Sequence, residues 1–150
     1  LRDSIQNGES YYIVEIRSLK RILDAAQTET APVLSFVDEV LRGTNTVERI
    51  AAATQILIHL SESGVLCFTA THDIEMTELL KDCYDNYHFE EEVKEKEVVF
   101  SYILKKGRAT SRNAIRLLDM LEYDLGIVEG AAKAARDFEE KGVWESLKPV

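Results

Sequence analysis

Two short apolar runs, "APVLSFVD" at 31–38 and "VLCFTAT" at 65–71, place the strongest constraint on the fold of this 150-residue chain. Each run is continuous rather than alternating, which is typical of a strand that is buried on both faces. Between them, apolar residues recur at helical spacing from Val47 to Leu60, and Thr46 is a candidate N-cap. The order strand, helix, strand predicts a right-handed crossover with two parallel strands, and therefore an α/β fold.

The rest of the chain adds helices on both sides of this unit and a hairpin after it. The acid-rich segment "NYHFEEEV" and the segment "EVVFSYILKK" predict an antiparallel hairpin that turns near 94–96. Further helices are predicted over about 11–26, 74–80, 111–122 and 127–140, with Gly126 between the last two. No internal repeat or long linker divides the sequence, so we expect one domain or part of one.

Composition excludes several classes of protein. The chain has 18 basic and 27 acidic residues, a net charge of −9, so we do not expect this segment to grip a phosphate backbone by itself. No apolar run approaches the length of a membrane span and no leader is visible, so we expect a soluble, cytoplasmic chain without a membrane partner. Cys67 and Cys83 lie too far apart for a metal or redox motif, and Cys67 is expected to be a buried free thiol.

Polar residues that could carry chemistry follow both predicted strands. Asp38 and Glu39 end the first strand, and His72 follows the second. The carboxyl ends of parallel strands meet at one edge of the sheet, where ligands of open α/β sheets bind. An Asp there can hold Mg²⁺ and a Glu can orient the water that attacks a γ-phosphate, while a nearby His can reach the same phosphate. By itself the acid pair has a commoner explanation, a pair of strand-end acids that cap a helix or meet an arginine.

A second candidate site lies at the start of the first helix. Ser10 follows Gly8 there, and its hydroxyl and the free backbone N–H groups could hold a phosphate. A plain N-cap is the alternative. The pattern G-x-x-x-x-G-K-[ST] is absent from the 150 residues, so we do not expect this chain to bind ATP well alone. Because the sequence starts at Leu1 without Met, we expect it to be a piece of a longer protein.

Together these motifs resemble the ATPase domain of the MutS family of mismatch-recognition proteins, a branch of the ABC-type ATPases. The matching segments are "GESYYIVEI" for the signature loop and helix, "VDEVLRGTNT" for Walker B and the D-loop, "TATHD" for the His switch, and "VVFSYILKKGRATSRNAIRLL" and "LGIVEGAAKAARDF" for the closing hairpin and helices. The resemblance implies that residues 1–150 are the C-terminal part of a P-loop NTPase-like domain, with the Walker A part absent from this chain.

The resemblance also implies a role for each residue at the sheet edge. Asp38 would coordinate Mg²⁺, Glu39 would activate the attacking water, and His72 would sense the γ-phosphate. These roles make Asp38 the candidate metal ligand and make Glu39 and His72 the candidate catalytic residues.

Further residues would bind nucleotide across a dimer. Ser10 would act in trans on nucleotide held by the partner subunit, and the loop of residues 42–46 would be the D-loop, which runs along the dimer interface. Gly8, Ser10, Thr44 and Asn45 are the candidate cofactor-binding residues. The sequence departs from the usual pattern of this loop at two positions. Asn45 stands where the family usually has Ser, and Leu41 stands where it usually has Gly. Gly43 is needed if the chain turns there with positive φ.

The resemblance implies an ATPase module that uses ATP and Mg²⁺ in a homodimer. In the full-length protein this module would drive a DNA clamp, with mismatched or structured DNA bound by other domains. Two alternatives within the family are a divergent module that dimerises or binds without cycling, and a MutS-like protein that acts in recombination control. A further alternative is an unrelated α/β domain that binds no nucleotide.

Overall fold

A computed structural model describes residues 11–28, 31–94, 97–109 and 113–146. The chain divides into two compact units, 1–86 with 106–108, and 87–105 with 109–150. Within the described ranges, no helix combines the length and the apolar character that crossing a bilayer requires.

The first unit contains the predicted strand–helix–strand crossover. Strand β1 (Leu34–Asp38), helix α2 (Thr46–Glu62) and strand β2 (Leu66–Ala70) follow helix α1 (Tyr11–Thr28) and precede helix α3 (Ile74–Leu79). The two strands pair in parallel, with Leu34 opposite Leu66 and Asp38 opposite Ala70. The predicted elements and the parallel pairing are therefore confirmed.

The core of the first unit forms around α2, which contacts α1, α3 and β2. Ala53, Leu57 and Leu60 lie on one side of this helix and are completely buried. They pack with residues from the other elements and from the loops, namely Leu19, Val40, Leu41, Val65, Met76 and Leu80. Burying a leucine of this kind contributes about 1.5–3 kcal/mol, so this cluster holds the strand ends in place.

One face of the two-stranded sheet is exposed, which the sequence did not predict. Ser35 on the inner face is buried, but the alternate residues on the outer face are open to solvent, and Phe36 is 72% exposed. This outer face carries Leu34, Phe36, Leu66 and Phe68, and the two phenylalanine rings stack with their centroids 5.4 Å apart. The expectation of strands buried on both faces is therefore wrong, because α2 covers only one side and no described residue covers the other.

Two predicted helix boundaries are corrected. Asn45 rather than Thr46 is the N-cap of α2, since its side-chain Oδ1 accepts a hydrogen bond from the N–H of Glu48 over 3.0 Å. Gly126 does not separate the last two helices but lies in the first turn of the final one, where Asp124 is the N-cap. Asn and Asp side chains compete well for the free N–H groups of a first turn, which explains both shifts.

The second unit contains the predicted hairpin and the two closing helices. Strand β4 (Glu91–Lys94) pairs antiparallel with β5 (Glu97–Phe100), which confirms the hairpin. Helices α4 (Ala114–Met120) and α5 (Leu125–Lys141) contact each other, and neither has a buried residue among those described. Two strands of two residues each, β3 (Tyr87–His88) and β6 (Lys105–Lys106), flank the hairpin in sequence.

The two cysteines of the chain are both free thiols. Cys67 in β2 is half-buried rather than fully buried, and Cys83 after α3 is exposed.

Candidate functional site

The turns after β1 and β2 bring Glu39 and His72 together. The N–H of Glu39 donates to the carbonyl of Ala70 over 2.9 Å, which extends the parallel pairing one residue beyond Asp38. The Nε2 atom of His72 lies 3.2 Å from Oε1 of Glu39. The predicted placement of the acids and the histidine at one edge of the sheet is therefore confirmed.

Glu39 has an unusual backbone conformation. Its φ of 51° lies in the left-handed region, which costs a non-glycine residue on the order of 1–2 kcal/mol. The side chain is 19% exposed, and Oε2 forms an ion pair with Nε of Arg42. Strained residues of this kind persist where the surrounding structure over-determines them, often at functional sites. The turn thus holds a carboxylate beside the His72 ring and the Arg42 guanidinium.

Asp38 is an exposed carboxylate at the last position of β1. Among the described residues, no group of three or more His, Cys, Asp or Glu side chains could hold a metal ion. A single carboxylate such as that of Asp38 is compatible with Mg²⁺, which is usually bound by one or two carboxylates together with waters and substrate phosphates. The role of Asp38 as a metal ligand stays a prediction.

Helix α1 fixes the loop that follows these acids. Leu41 has a φ of 57°, is 2% exposed, and donates its N–H to Oε1 of Glu15 over 2.5 Å. Gly43 approaches α1 so closely that an added Cβ would lie 3.2 Å from Cβ of Tyr12. Gly43 does not have positive φ, and a side chain at this position would force Tyr12 to move by a few tenths of an ångström. The left-handed residues are Glu39 and Leu41 instead.

The side chains of Thr44 and Asn45, in the loop predicted to be the D-loop, contact the first turn of α2. Asn45 caps the helix through Glu48 N–H, and the Thr44 hydroxyl donates to Oε2 of Glu48 over 3.4 Å. Their predicted role in binding nucleotide stays a prediction. Gly8 and Ser10 lie outside the described residues, and their role also stays a prediction.

Comparison of the chain with known proteins identifies its family. The family model described as MutS domain V matches residues 1–139. The chain belongs to the MutS domain V family. It is 35% identical over 149 residues to the DNA mismatch repair protein MutS of Aquifex pyrophilus, which covers 97% of this chain. It is 34% identical over 133 residues to the protein of the same name from Natronomonas pharaonis, covering 86% of this chain.

The chain spans only 17% and 15% of the lengths of these two relatives. Its MutS domain V is a mixed α/β structure with a parallel sheet and helices. The resemblance to the MutS family is therefore confirmed.

The structure gives a local reason for the residue at each of the two positions where the resemblance leads us to expect another. Asn45 is an N-cap, a position where Asn and the expected Ser are about equally effective. Leu41 has left-handed backbone, a conformation in which the expected Gly has no steric cost. Its side chain belongs to the hydrophobic core, and this burial offsets the cost of the conformation.

One contact in this MutS domain V was not found from the sequence. Arg49 on α2 donates two hydrogen bonds to the carboxylate of Asp73, from Nε to Oδ2 over 3.0 Å and from Nη2 to Oδ1 over 2.6 Å. The bond to Asp73 raises the pKa of Arg49, and the negative charge of Glu39 acts in the same direction. The position of Asp73 directly after the candidate His72 was the only signal in the sequence, and it did not identify a partner 24 residues away.

Proposed function

We propose that this chain is the C-terminal part of a P-loop NTPase-like, ABC-type ATPase domain, spanning residues 1–150. In the full-length protein it would hydrolyse ATP with Mg²⁺ in a composite site between two subunits. The observation that carries this proposal is the approach of His72 Nε2 to Glu39 Oε1, 3.2 Å apart at the carboxyl edge of the parallel sheet. Ligands of α/β sheets bind at that edge.

The chemistry follows from the side chains at this edge. Bound Mg²⁺ would neutralise charge on the phosphates, and Asp38 would hold it. Glu39 accepts a hydrogen bond from water and takes its proton as the oxygen attacks the γ-phosphorus. The bond from that phosphorus to the bridging oxygen breaks, which yields ADP and phosphate. His72, which is 91% exposed, would donate a hydrogen bond to a γ-phosphate oxygen.

We propose a homodimer in which the D-loop lines the interface and the segment around Gly8 and Ser10 contacts nucleotide on the partner subunit. The outer face of the sheet exposes four large apolar side chains, those of Leu34, Phe36, Leu66 and Phe68. This exposure supports the proposal that other residues of the full-length protein cover the face and complete the domain. Mismatched or structured DNA would be bound elsewhere in the full-length protein, because this chain carries a net charge of −9. Mismatch repair is proposed over recombination control because both relatives are named for it. A cytoplasmic location stays a prediction.

A second candidate function is a module that dimerises without cycling. It is favoured by the ion pair between Glu39 Oε2 and Arg42, because a carboxylate engaged in this way must share or lose that partner to orient water. The two candidates differ in one measurable property, the turnover of ATP.

The test is the Glu39→Gln variant of the full-length protein. Gln keeps the shape of Glu39 but cannot accept a proton, so we expect ATP turnover to fall by about 100-fold or more while ATP binding is retained. Glu62→Gln, at the exposed end of α2, is the matched control and should leave turnover unchanged. Unchanged hydrolysis in Glu39→Gln would reject the catalytic assignment. A wild-type protein that dimerises without hydrolysing ATP would favour the second candidate.

A further inference from the structure

The Arg49–Asp73 pair joins the start of α2 to the turn that carries His72. Both side chains are largely buried, with 19% and 18% exposed, and the guanidinium meets the carboxylate through two parallel hydrogen bonds. This fork geometry is specific to arginine, since lysine offers a single point charge. The pair therefore fixes an orientation as well as a distance.

The carboxylate of Asp73 is committed to this contact. Asp73 is the N-cap residue of α3, a position where Asp side chains usually accept a hydrogen bond from the first turn, but its side chain makes no such bond. Its backbone N–H is held by the Thr71 hydroxyl over 3.0 Å, so the turn on both sides of His72 is anchored.

The side chain of His72 lies largely in solvent. It is 91% exposed, and in the part of the chain that the structure describes the ring contacts the carboxylate of Glu39. The position of the imidazole is therefore set by the backbone of residues 71–73. Arg49 belongs to the first turn of α2, and its N–H donates to the carbonyl of Asn45 over 2.9 Å. One rigid helical turn thus links the D-loop to the His72 turn.

We propose that Arg49 is a positioning residue, which acts through Asp73 to hold His72 within reach of Glu39 and of the phosphate that His72 contacts. The proposal rests on the proposed ATPase function and adds to it a residue that no family motif quoted above includes. Arg49 makes the D-loop and the His72 turn move as one body. A shift of the D-loop on dimerisation would therefore move His72 as well.

The first experiment compares variants of the full-length protein in steady-state ATP hydrolysis. Arg49→Lys keeps the positive charge and the aliphatic part of the side chain but loses the two parallel hydrogen bonds to Asp73. Asp73→Asn removes the negative charge that pairs with Arg49. We expect each to lower kcat by about 10-fold with KM for ATP within about twofold. The matched control is Arg108→Lys, which alters an exposed arginine paired with Glu78 over 3.0 Å and should leave kcat unchanged.

The second experiment separates positioning from a structural role by repeating Arg49→Lys in a His72→Ala background. If Arg49 acts through His72, the added substitution should change kcat by less than about twofold there, because coupled residues are not additive. An equal loss of kcat in both backgrounds would overturn the proposal. A fall in unfolding temperature with unchanged kcat would overturn it too, since that result shows a structural role only.

The Glu39→Gln variant distinguishes failure of the positioning role of Arg49 from failure of the role proposed for Glu39. If Glu39→Gln abolishes turnover and Arg49→Lys does not reduce it, the positioning role is wrong and the ATPase proposal stands. If Glu39→Gln leaves turnover unchanged, the assignment of Glu39 as the catalytic base fails although ATP is hydrolysed, and the comparison of Arg49→Lys in the two His72 backgrounds then decides the positioning role by itself.

Discussion

Leu41 donates its backbone N–H to Oε1 of Glu15 over 2.5 Å, and the two residues are 26 positions apart in the sequence. This bond ties the loop after β1 to helix α1 inside the core. Leu41 is buried, so an N–H without this acceptor would cost about 1–3 kcal/mol. The loop that carries the candidate catalytic Glu39 is therefore held by a carboxylate from another helix.

The left-handed backbone of Leu41 predicts an unusual order of stability. Leu41→Gly removes about 1–2 kcal/mol of strain but also a buried side chain worth about 2–5 kcal/mol, so we expect net destabilisation. Leu41→Ala loses nearly the same side chain and keeps the strain, so it should be the less stable variant by about 1 kcal/mol. Urea unfolding of wild type and both variants measures this order. An alanine variant as stable as the glycine variant would show that the conformation carries no strain.

The N-cap of α2 gives a prediction that distinguishes Asn45, the cap in the structure, from Thr46, the cap predicted from the sequence. Asn45→Ala should lower the free energy of unfolding by about 1 kcal/mol, because Glu48 N–H loses its acceptor, while Asn45→Ser should be close to neutral. Thr46→Ala, at the residue first expected to be the cap, is the control and should have little effect. Urea midpoints check all three, and a larger loss from Thr46→Ala than from Asn45→Ala would contradict the assignment.

Tyr84 predicts a loss of stability at alkaline pH. Burial raises the pKa of its phenol, the neighbouring Cys67 acts in the same direction, and its O–H donates to the Leu57 carbonyl over 2.9 Å. In the unfolded chain a tyrosine titrates near pH 10. Above about pH 10 the unfolded chain has lost a proton that the native chain still binds, so the free energy of unfolding should fall as pH rises. Below that pH the contribution of Tyr84 is constant.

Unfolding measurements from about pH 8 to pH 11 test this behaviour, with the range chosen around the ordinary tyrosine pKa. Tyr84→Phe should flatten the alkaline decline and cost about 1 kcal/mol at neutral pH through the lost hydrogen bond. The control is Tyr102→Phe, at a residue that is 82% exposed. A decline of the same slope in Tyr84→Phe would assign the effect to other groups.

The sequence was sufficient to predict the crossover and the edge of the sheet where Glu39 and His72 meet. Both depend on local signals, since apolar runs and helical spacing mark the elements and parallel pairing then fixes which ends coincide. The Arg49–Asp73 pair could not be predicted in this way. Its two residues lie on different elements, and only their packing shows that the guanidinium and the carboxylate face each other.

The exposure of the outer sheet face could not be predicted from the sequence either. A continuous apolar run predicts that a strand will be covered, but it does not say whether the covering residues belong to the same stretch of chain. The boundary corrections have a different cause. Asn45 and Thr46 are both acceptable caps by residue type, and only the geometry of the first turn decides between them.

The bare outer face of the sheet affects how this polypeptide can be prepared. The outer face is one contiguous hydrophobic patch formed by Leu34, Phe36, Leu66 and Phe68. An exposed patch of this kind promotes self-association at laboratory concentrations. Purification of residues 1–150 alone should therefore favour aggregates or inclusion bodies. Replacing the two stacked phenylalanines with threonine, which retains strand preference, gives a practical route to a soluble sample for spectroscopy.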